Sequence, residues 1–339
     1  MAFHYFFNSL VVFFILSGIG ELILFAFRIK NSRVRIFIRA LPFIKFPFDF
    51  LIFGVFEENL FLNFNPFGCK IFFQHLLERV FGVYFKTNLS EKEHWIIPHF
   101  LTAQIPAPWL KVLVVSFGTV SLSAFFYRVL QYCKSYQTLK KILRVAIPCT
   151  REIKNSKLLA GVKRQKAIVV TSNQVNIPLV ASRRHIIFPQ ESISQFSQEE
   201  FEAVLAHELE HLYWKDSLLK LYCTFVHAFF WWVPSGWWLN RIEVDMEIAS
   251  DKGVRRYGIA AHSLASAIVK VIALRTSSTQ YYSTTGFSLA CELASSRKPI
   301  VYRFKSLLED DFIPSKFLFW NSFFCTCVAL ISFISFWSC

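Results

Sequence analysis

Residues 206–211 read Ala206-His207-Glu208-Leu209-Glu210-His211, which is the pattern His-Glu-x-x-His. Residues four positions apart lie one above the other on a helix, so His207 and His211 can point two imidazoles at one zinc ion. Glu208 follows the first histidine and can take the proton of a water molecule at that metal. The hexapeptide predicts a catalytic zinc site, with a surface helix carrying two solvated histidines as the alternative.

The sequence around this motif carries the signals of an α-helix that runs from about Ser197 to Tyr213. Residues 197–200 fit a capping box, with Ser197 as the N-cap and Glu200 three positions later. An apolar stripe lies beside the predicted ligand face and consists of Phe201, Val204, Leu205 and Leu212. The motif is therefore predicted to lie on a well-defined helix.

A third ligand is expected, because zinc hydrolases of this type use two histidines and one carboxylate and leave the fourth position to water. The candidate is Glu247, in a second segment of helical pattern at residues 243–251. Glu247 and Asp251 are spaced to lie on the same helix face. We expect Glu247 to bind the metal and Asp251 to accept a hydrogen bond from the outer nitrogen of a ligand histidine. The alternative is an ordinary acidic helix face.

Several stretches of the sequence are similar to one known family. They are residues 169–181, 185–189 and 199–211, Asp216, and Glu247-Ile-Ala-Ser-Asp251, and a weaker similarity extends through Tyr257 and Leu264 to residues 303–307. Residues 165–251 thereby resemble the BlaR/MecR-type family of membrane-integral zinc metallopeptidases. Ser250 stands where the better-known members carry a cysteine.

The resemblance implies an α-helical membrane protein with an inserted α+β, zincin-like (gluzincin) metalloprotease domain, about four transmembrane helices and one Zn²⁺ per chain. It implies a zinc endopeptidase that hydrolyses a cytoplasmic or membrane-proximal protein, either a repressor or the chain itself. Better-known members carry a β-lactam-binding sensor after the fourth span. This sequence ends at Cys339, so antibiotic sensing is not expected.

Two other functions stay open at this point. The prenyl-protease and heat-shock membrane peptidases share the same ligand pattern, so a membrane-protein quality-control peptidase is one alternative. The other is a non-enzymatic membrane signal transducer that keeps zinc for structure. Glu208 argues against the transducer, because a structural site needs no base and usually fills all four positions with protein ligands.

The composition indicates a membrane protein. Of the 339 residues, 54% are hydrophobic and only 18% are charged, which is too apolar for an ordinary soluble protein. We interpret the net charge of +14 through membrane topology. The expected partners are a protein or peptide substrate and the lipid bilayer, with a homodimer left open. A nucleic-acid partner is not expected, because the basic run at residues 128–166 directly follows an apolar segment and shows no helix-turn-helix pattern.

Four apolar segments are predicted to cross the inner or cytoplasmic membrane, with an interfacial hairpin as the alternative for the second. They are residues 5–27, 34–56, 110–132 and 317–338. The predicted domains are residues 1–64 with two spans, an extracytoplasmic loop at 65–109, and a cytoplasmic metallopeptidase domain at 133–316. Glu21, the only charge of the first segment, is predicted to face other helices.

Residues 219–240 are also long and apolar, but a single crossing would separate His211 from Glu247 by about 30 Å. The segment is therefore predicted to dip into the membrane and return, with the turn at Pro234-Ser-Gly236, or to lie against the membrane face. His227 within it is a candidate site residue, although a packed or interfacial histidine is the more common case.

Residues 166–189 alternate and are rich in Val and Ile, which predicts two or three strands with turns at 171–174 and 182–184. A proline inside a strand argues for an edge strand. The predicted edge consists of Ile177, Pro178, Leu179 and Val180, and an extended substrate can pair its backbone with it. The alternative is a structural hairpin.

Three residues after the second motif are candidates to stabilise the oxyanion of a tetrahedral intermediate. They are Arg255, Arg256 and Tyr257, among which the sequence does not choose.

Overall fold

The structure, a computed structural model, describes residues 2–49, 107–182, 184–278 and 297–308. The described helices are α1 (Ala2–Ala26), α2 (Ser32–Asp49), α3 (Ala107–Val145), α4 (Ser156–Gln165), α5 (Gln190–Gln195), α6 (Gln198–Trp214), α7 (Asp216–Phe229), α8 (Gly236–Gly253), α9 (Ala261–Ser278) and α10 (Arg297–Leu308). A 3-10 helix at Val254–Tyr257 follows α8. The described strands are β1 (Ile147–Pro148), β2 (Ile168–Ser172), β3 (Leu179–Val180) and β4 (His185–Pro189). This part of the protein is mostly helical, with one small sheet.

Some predicted features lie outside the described residues. They are most of the loop at 65–109, the end of the second predicted span, and the fourth predicted span at 317–338. Among the residues that are described, no helix combines the length and the apolarity that a membrane crossing requires. The spans stay predictions.

The sheet has the strand order β1-β2-β4-β3. Its central pair, β2 and β4, is parallel with Val170 opposite Ile187, and each outer strand is antiparallel to its neighbour. The prediction of up to three strands within residues 166–189 is confirmed, whereas β1 was not predicted, because two residues are too few to show an alternating pattern. Helix α6 packs against β3 and β4, so the strand at one edge of the sheet lies beside the helix that carries the motif.

Helix α6 begins and ends almost where the sequence predicts. Ser197 is the N-cap, and both hydrogen bonds of the capping box with Glu200 are present. The helix ends at Lys215, which adopts the left-handed conformation with φ 58°. Phe201, Leu205 and Leu209 on α6 are fully buried and form one core with residues of β4, α4 and α9. The predicted helix is confirmed, and its packing fixes the orientation of the motif.

Glu200 lies where α6 meets α9, and its charge is expected to stabilise the fold. Burial raises the pKa of Glu200, but hydrogen bonds from Lys270, Ser266 and the backbone of Ser197 outweigh it and lower that pKa from 4.5 to about 2. A lowered folded-state pKa contributes stability above the unfolded pKa and loses it as pH falls through the folded value.

Glu200→Gln is therefore expected to lower the free energy of unfolding by about 1–3 kcal/mol at neutral pH. The difference from wild type should shrink as pH falls from 4.5 towards about 2. Denaturant unfolding of both proteins at several pH values measures this difference in the free energy of unfolding. Glu191→Gln, at an exposed position of α5, is the control. A difference that does not change with pH would contradict the charged interaction.

A second core joins the N-terminal helices to α7 and α8. It contains Phe13 of α1, Ile36 of α2, Cys223 of α7 and Trp238 and Ile242 of α8, all almost fully buried. Burying an apolar side chain of this size contributes about 1.5–3 kcal/mol. Helices α1 and α2 are therefore packed parts of the same structure as α8.

Ion pairs reinforce this second core. Glu21 of α1 lies 2.8 Å from Nη2 of Arg39 on α2 and 3.0 Å from Nη1 of Arg241 on α8. The prediction that Glu21 faces other helices is confirmed. Asp245 of α8 pairs with Arg35 and Arg39, so this acidic residue faces α2.

Residues 219–240 form a helix, a turn and the start of a second helix. The chain turns between Phe229, where α7 ends, and Gly236, where α8 begins, and the two helices contact each other. The predicted return of the chain is confirmed, while contact of this segment with a membrane stays a prediction. His227 lies 2.8 Å through Nδ1 from Oγ of Ser235, so it packs within the turn. Its alternative role as a site residue is not supported.

Helices α6 and α8 approach each other closely at Gly253. A Cβ atom at this position would lie 2.6 Å from Cδ of Glu210. Glu210 is fully buried and accepts hydrogen bonds from Tyr257 and Trp214, so its side chain is not free to move away. Only glycine fits this crossing without rearrangement.

Gly253→Ala is expected to destabilise the protein by about 1–3 kcal/mol, because overpacking a close contact forces side chains out of place. Gly118→Ala on α3 is the matched control, since a Cβ atom there meets nothing within 4 Å. The control is expected to be neutral or slightly stabilising. Thermal melting followed by circular dichroism compares the two, and equal midpoints would contradict the close approach.

Candidate metal centre

Three side chains from α6 and α8 meet at one point. Nε2 of His207 lies 3.1 Å from Nε2 of His211, and each of these nitrogens lies 3.6 Å from an oxygen of Glu247. One ligand atom from each residue lies within 4.8 Å of the others. The structure brings together the three residues predicted to bind the metal.

The spacing fits zinc. Zinc bonds of about 2.0–2.1 Å at tetrahedral angles place neighbouring ligand atoms about 3.3 Å apart. Two imidazole nitrogens and one carboxylate oxygen also form a donor set typical of catalytic zinc. Within the described residues the candidate cluster has these three members, which leaves a fourth position to water or substrate.

Asp251 lies next to Nδ1 of His207, the ring nitrogen that faces away from the cluster. Its Oδ1 lies 2.9 Å from Nδ1 of His207, and its side chain is fully buried. A carboxylate at Nδ1 fixes the imidazole tautomer that leaves Nε2 free for a metal. The structure therefore places Asp251 next to His207, and the role of this histidine as a metal ligand stays a prediction.

Asp216 and Ser250 both lie next to Nδ1 of His211, as Asp251 lies next to Nδ1 of His207. Nδ1 of His211 lies 2.8 Å from Oδ2 of Asp216 and 3.1 Å from Oγ of Ser250. The spacing of five residues between His211 and Asp216 was visible in the sequence, but no role was assigned to it. Both histidines of the cluster thus have a buried carboxylate near the nitrogen that faces away from the cluster.

Arg303 of α10 contacts two carboxylates of the site. Its Nε and Nη2 donate to the two oxygens of Asp251 at 2.8 Å each, and its Nη1 lies 3.0 Å from Oε2 of Glu247. The sequence placed Arg303 in a stretch of weak similarity and gave no reason to assign it to the site. A contact across a gap of 52 residues has no local signal.

The balance of charge around the cluster favours a divalent cation. Four carboxylates lie there, Glu208, Asp216, Glu247 and Asp251, and two guanidinium groups, Arg33 and Arg303, contact the last three of them. With neutral histidines, these described groups leave two negative charges uncompensated. Uncompensated buried charge is costly, and one divalent ion supplies the missing charge.

The carboxylates around His207 favour the protonated form of its imidazole. Burial lowers the pKa of His207, but the carboxylates of Asp251 and Glu247 outweigh burial and raise it to about 10. Desolvation raises the pKa of the Glu247 carboxyl, while Arg303 and the two histidines lower it to well below its usual range. Metal binding at neutral pH is therefore coupled to the loss of a proton.

Glu208 is more basic than a carboxylate in water. Burial raises its pKa above the ordinary value of 4.5, and the nearby histidines only partly offset that effect. Glu208 is 9% exposed and lies on the same helix as His207 and His211. A carboxylate in this environment suits a group that takes a proton from water.

The candidate oxyanion stabilisers have other partners. Tyr257 donates through its hydroxyl to Oε1 of Glu210 at 3.2 Å, and Nη1 of Arg256 lies 3.2 Å from the same oxygen. Arg255 donates to the carbonyl of Leu307 at 2.6 Å. None of these described contacts involves a cluster residue, so the structure does not bring Tyr257 to the site and its predicted role is not supported.

Two of the four residues of the predicted substrate edge form a strand at the edge of the described sheet. Leu179 and Val180 form β3 at the edge of the described sheet, opposite Ile187 and Ile186 of β4. Ile177 and Pro178 come directly before the strand and do not belong to it. The predicted edge strand is thus shorter than the sequence suggested.

Comparison with known proteins agrees with this site. A family model described as BlaR1 peptidase M56 matches residues 94–305, which include the motif helix, Glu247 and Arg303. The regulatory protein BlaR1 of Bacillus licheniformis is 31% identical over 118 residues, which are 34% of this chain. The aligned segment spans 18% of that relative's length. Because the family model covers more than half of the sequence, the chain belongs to the BlaR1 peptidase M56 family.

Proposed function

We propose that the protein is a zinc-dependent endopeptidase. The observation that carries this proposal is the convergence of His207, His211 and Glu247, with Glu208 beside them on α6. A site built only for structure has no use for a buried carboxylate that is left outside the ligand set. The family supports a peptidase, and the donor set supports zinc.

The reaction is hydrolysis of a peptide bond. Zinc, when bound, supplies a Lewis acid that polarises the scissile carbonyl and makes water easier to deprotonate. Glu208 takes a proton from the attacking water as the oxygen bonds to the carbonyl carbon. The protonated Glu208 then gives this proton to the leaving nitrogen as the C–N bond breaks. No oxidant or further cofactor is required.

The other buried groups hold this arrangement in place. Carboxylate oxygens of Asp251 and Asp216 lie 2.9 Å and 2.8 Å from the Nδ1 atoms of His207 and His211, which favours the tautomers that leave both Nε2 lone pairs free for a metal. Arg303 neutralises Asp251 and contacts Glu247. In this proposal the rate depends on preorganised geometry rather than on large movements of the ligands.

The substrate is a protein whose backbone can lie extended along β3. This short strand lies at the sheet edge, next to α6. An edge strand offers unpaired backbone groups that an extended peptide can bind without sequence specificity. The relative from Bacillus licheniformis is named a regulatory protein. In this proposal the candidate substrates are a repressor and the chain itself.

We further propose that the protein works at a membrane. Large apolar side chains in α1, just after it and in α3 are exposed, namely Phe25 at 82%, Phe27 at 75% and Val115 at 67%. Exposed apolar surface of this kind is typical of lipid contact or of a protein interface. The substrate would then be cytoplasmic or membrane-proximal.

The test uses the full chain purified in detergent and an unstructured protein as substrate. Zinc-loaded protein is expected to cleave it, to stop after removal of the metal with a chelator, and to resume when zinc is added back. Mass spectrometry of the products identifies internal cleavage. Stoichiometric zinc without cleavage of the substrate or of the chain would contradict the peptidase and favour a non-enzymatic transducer.

A further inference from the structure

Helix α2 carries a buried arginine, Arg33. This residue lies before the region that the family model matches, residues 94–305, and its side chain contacts residues that surround the candidate metal cluster. Its Nη1 donates to Oδ1 of Asp216, and its Nη2 donates to Oγ of Ser250 at 3.1 Å. Asp216 begins α7, and Ser250 lies on α8. One guanidinium group therefore joins three helices.

Both partners of Arg33 meet at the outer nitrogen of His211. Asp216 lies 2.8 Å and Ser250 lies 3.1 Å from Nδ1 of this histidine. An acceptor at Nδ1 fixes the tautomer and directs the lone pair of Nε2 towards the metal. Arg33 thus contacts a proposed zinc ligand, His211, through one intervening side chain, that of Asp216 or of Ser250.

The surroundings of Arg33 suit an arginine. The residue is 7% exposed, and the guanidinium carbon lies 4.9 Å from the ring centre of Trp214, at the end of α6. A planar guanidinium can donate to two acceptors and stack on a ring at the same time, whereas an ammonium is a compact point charge. Removing this group would also leave the buried carboxylate of Asp216 without its cation.

We propose that Arg33 is a positioning residue of the metal centre, which holds Asp216 and Ser250 against His211 and so makes metal affinity depend on the packing of α2. This inference rests on the proposed zinc site. It extends the peptidase unit to the N-terminal helices.

Helix α2 also provides a matched comparison. Arg39 is 6% exposed and pairs with Asp245 of α8 and Glu21 of α1. Its described contacts include none with His207, His211 or Glu247. Arg33 and Arg39 therefore share helix, burial and type of interaction, and they differ in whether the partner reaches a proposed ligand.

The experiment compares wild type, Arg33→Ala, Arg33→Lys and Arg39→Ala as full chains in detergent. Zinc dissociation constants are measured by competition with a chelator, and the absorption spectrum of the Co²⁺-loaded protein reports ligand geometry. Arg33→Ala is expected to weaken zinc binding by about 10- to 100-fold and to change the Co²⁺ spectrum. Arg39→Ala is expected to leave both unchanged, although both alanine variants lose thermal stability.

Arg33→Lys keeps the charge and the fold but loses the two-acceptor geometry, so it decides the question if Arg33→Ala does not fold. It is expected to bind zinc more weakly than wild type. Equal zinc affinity and spectra in all the variants would overturn the inference while leaving the peptidase intact. A wild-type protein that binds zinc normally but does not cleave the substrate would instead overturn the proposed function. In that case the comparison of zinc affinities would still test the role of Arg33. Absence of zinc binding by wild type would overturn both.

Discussion

Glu208→Gln is expected to lower peptide hydrolysis by about 100- to 10,000-fold while zinc binding stays unchanged. The amide keeps the shape of the side chain but cannot take a proton from water. Glu208 is not one of the three clustered ligands, so the metal keeps its protein donors. The measurement is a cleavage rate per zinc-loaded chain, together with zinc content by mass spectrometry.

Glu210→Gln is the matched control for this prediction. Glu210 lies in the same motif and on the same helix, but it bonds to Tyr257, Trp214 and Arg256 instead of the cluster. It is expected to change stability and to leave the cleavage rate per folded chain close to wild type. A Glu208→Gln protein that cleaves normally would rule out Glu208 as the base.

Glu247→Ala is expected to weaken zinc binding by about 100- to 1,000-fold. Zinc bound by four protein ligands gains about 10–16 kcal/mol, so one ligand contributes roughly 2.5–4 kcal/mol. The loss also leaves Arg303 with one carboxylate partner fewer. Zinc per chain after dialysis, and the dissociation constant by chelator competition, measure the effect.

Glu243→Ala is the control, because Glu243 lies one helical turn before Glu247 and pairs with Lys220 at 3.1 Å. It removes the same kind of side chain from the same helix without touching the cluster. It is expected to retain zinc. Equal retention of zinc by both variants would exclude Glu247 as a ligand.

The sequence was informative wherever the decisive interactions are local. The capping box at Ser197 and Glu200 and the spacing of His207 and His211 are properties of a single helix, and they predicted α6 closely. The return of the chain before Glu247 was also predictable, because His211 and Glu247, if both are to bind one ion as predicted, must lie on the same side of a membrane.

The sequence was uninformative wherever residues meet over long separations. Arg33 lies 183 residues from Asp216, and in sequence it belongs to a basic run that follows an apolar segment, which is typical of a membrane boundary. Tyr257 is close in sequence to the second motif and for that reason was a candidate for the site. Its actual partner is Glu210, which proximity along the chain could not indicate.

The position of Arg303 has a consequence for the order in which the chain is made. Ribosomes deliver a protein from its N-terminus, so His207, His211 and Glu247 emerge before α10 exists, and domains can begin to fold during synthesis. Asp251 receives its guanidinium partner from 52 residues further along. Until then its buried charge lacks that partner, and the hold on His207 is weaker. A nascent chain therefore completes the surroundings of His207 and Glu247 only after α10 has been synthesised.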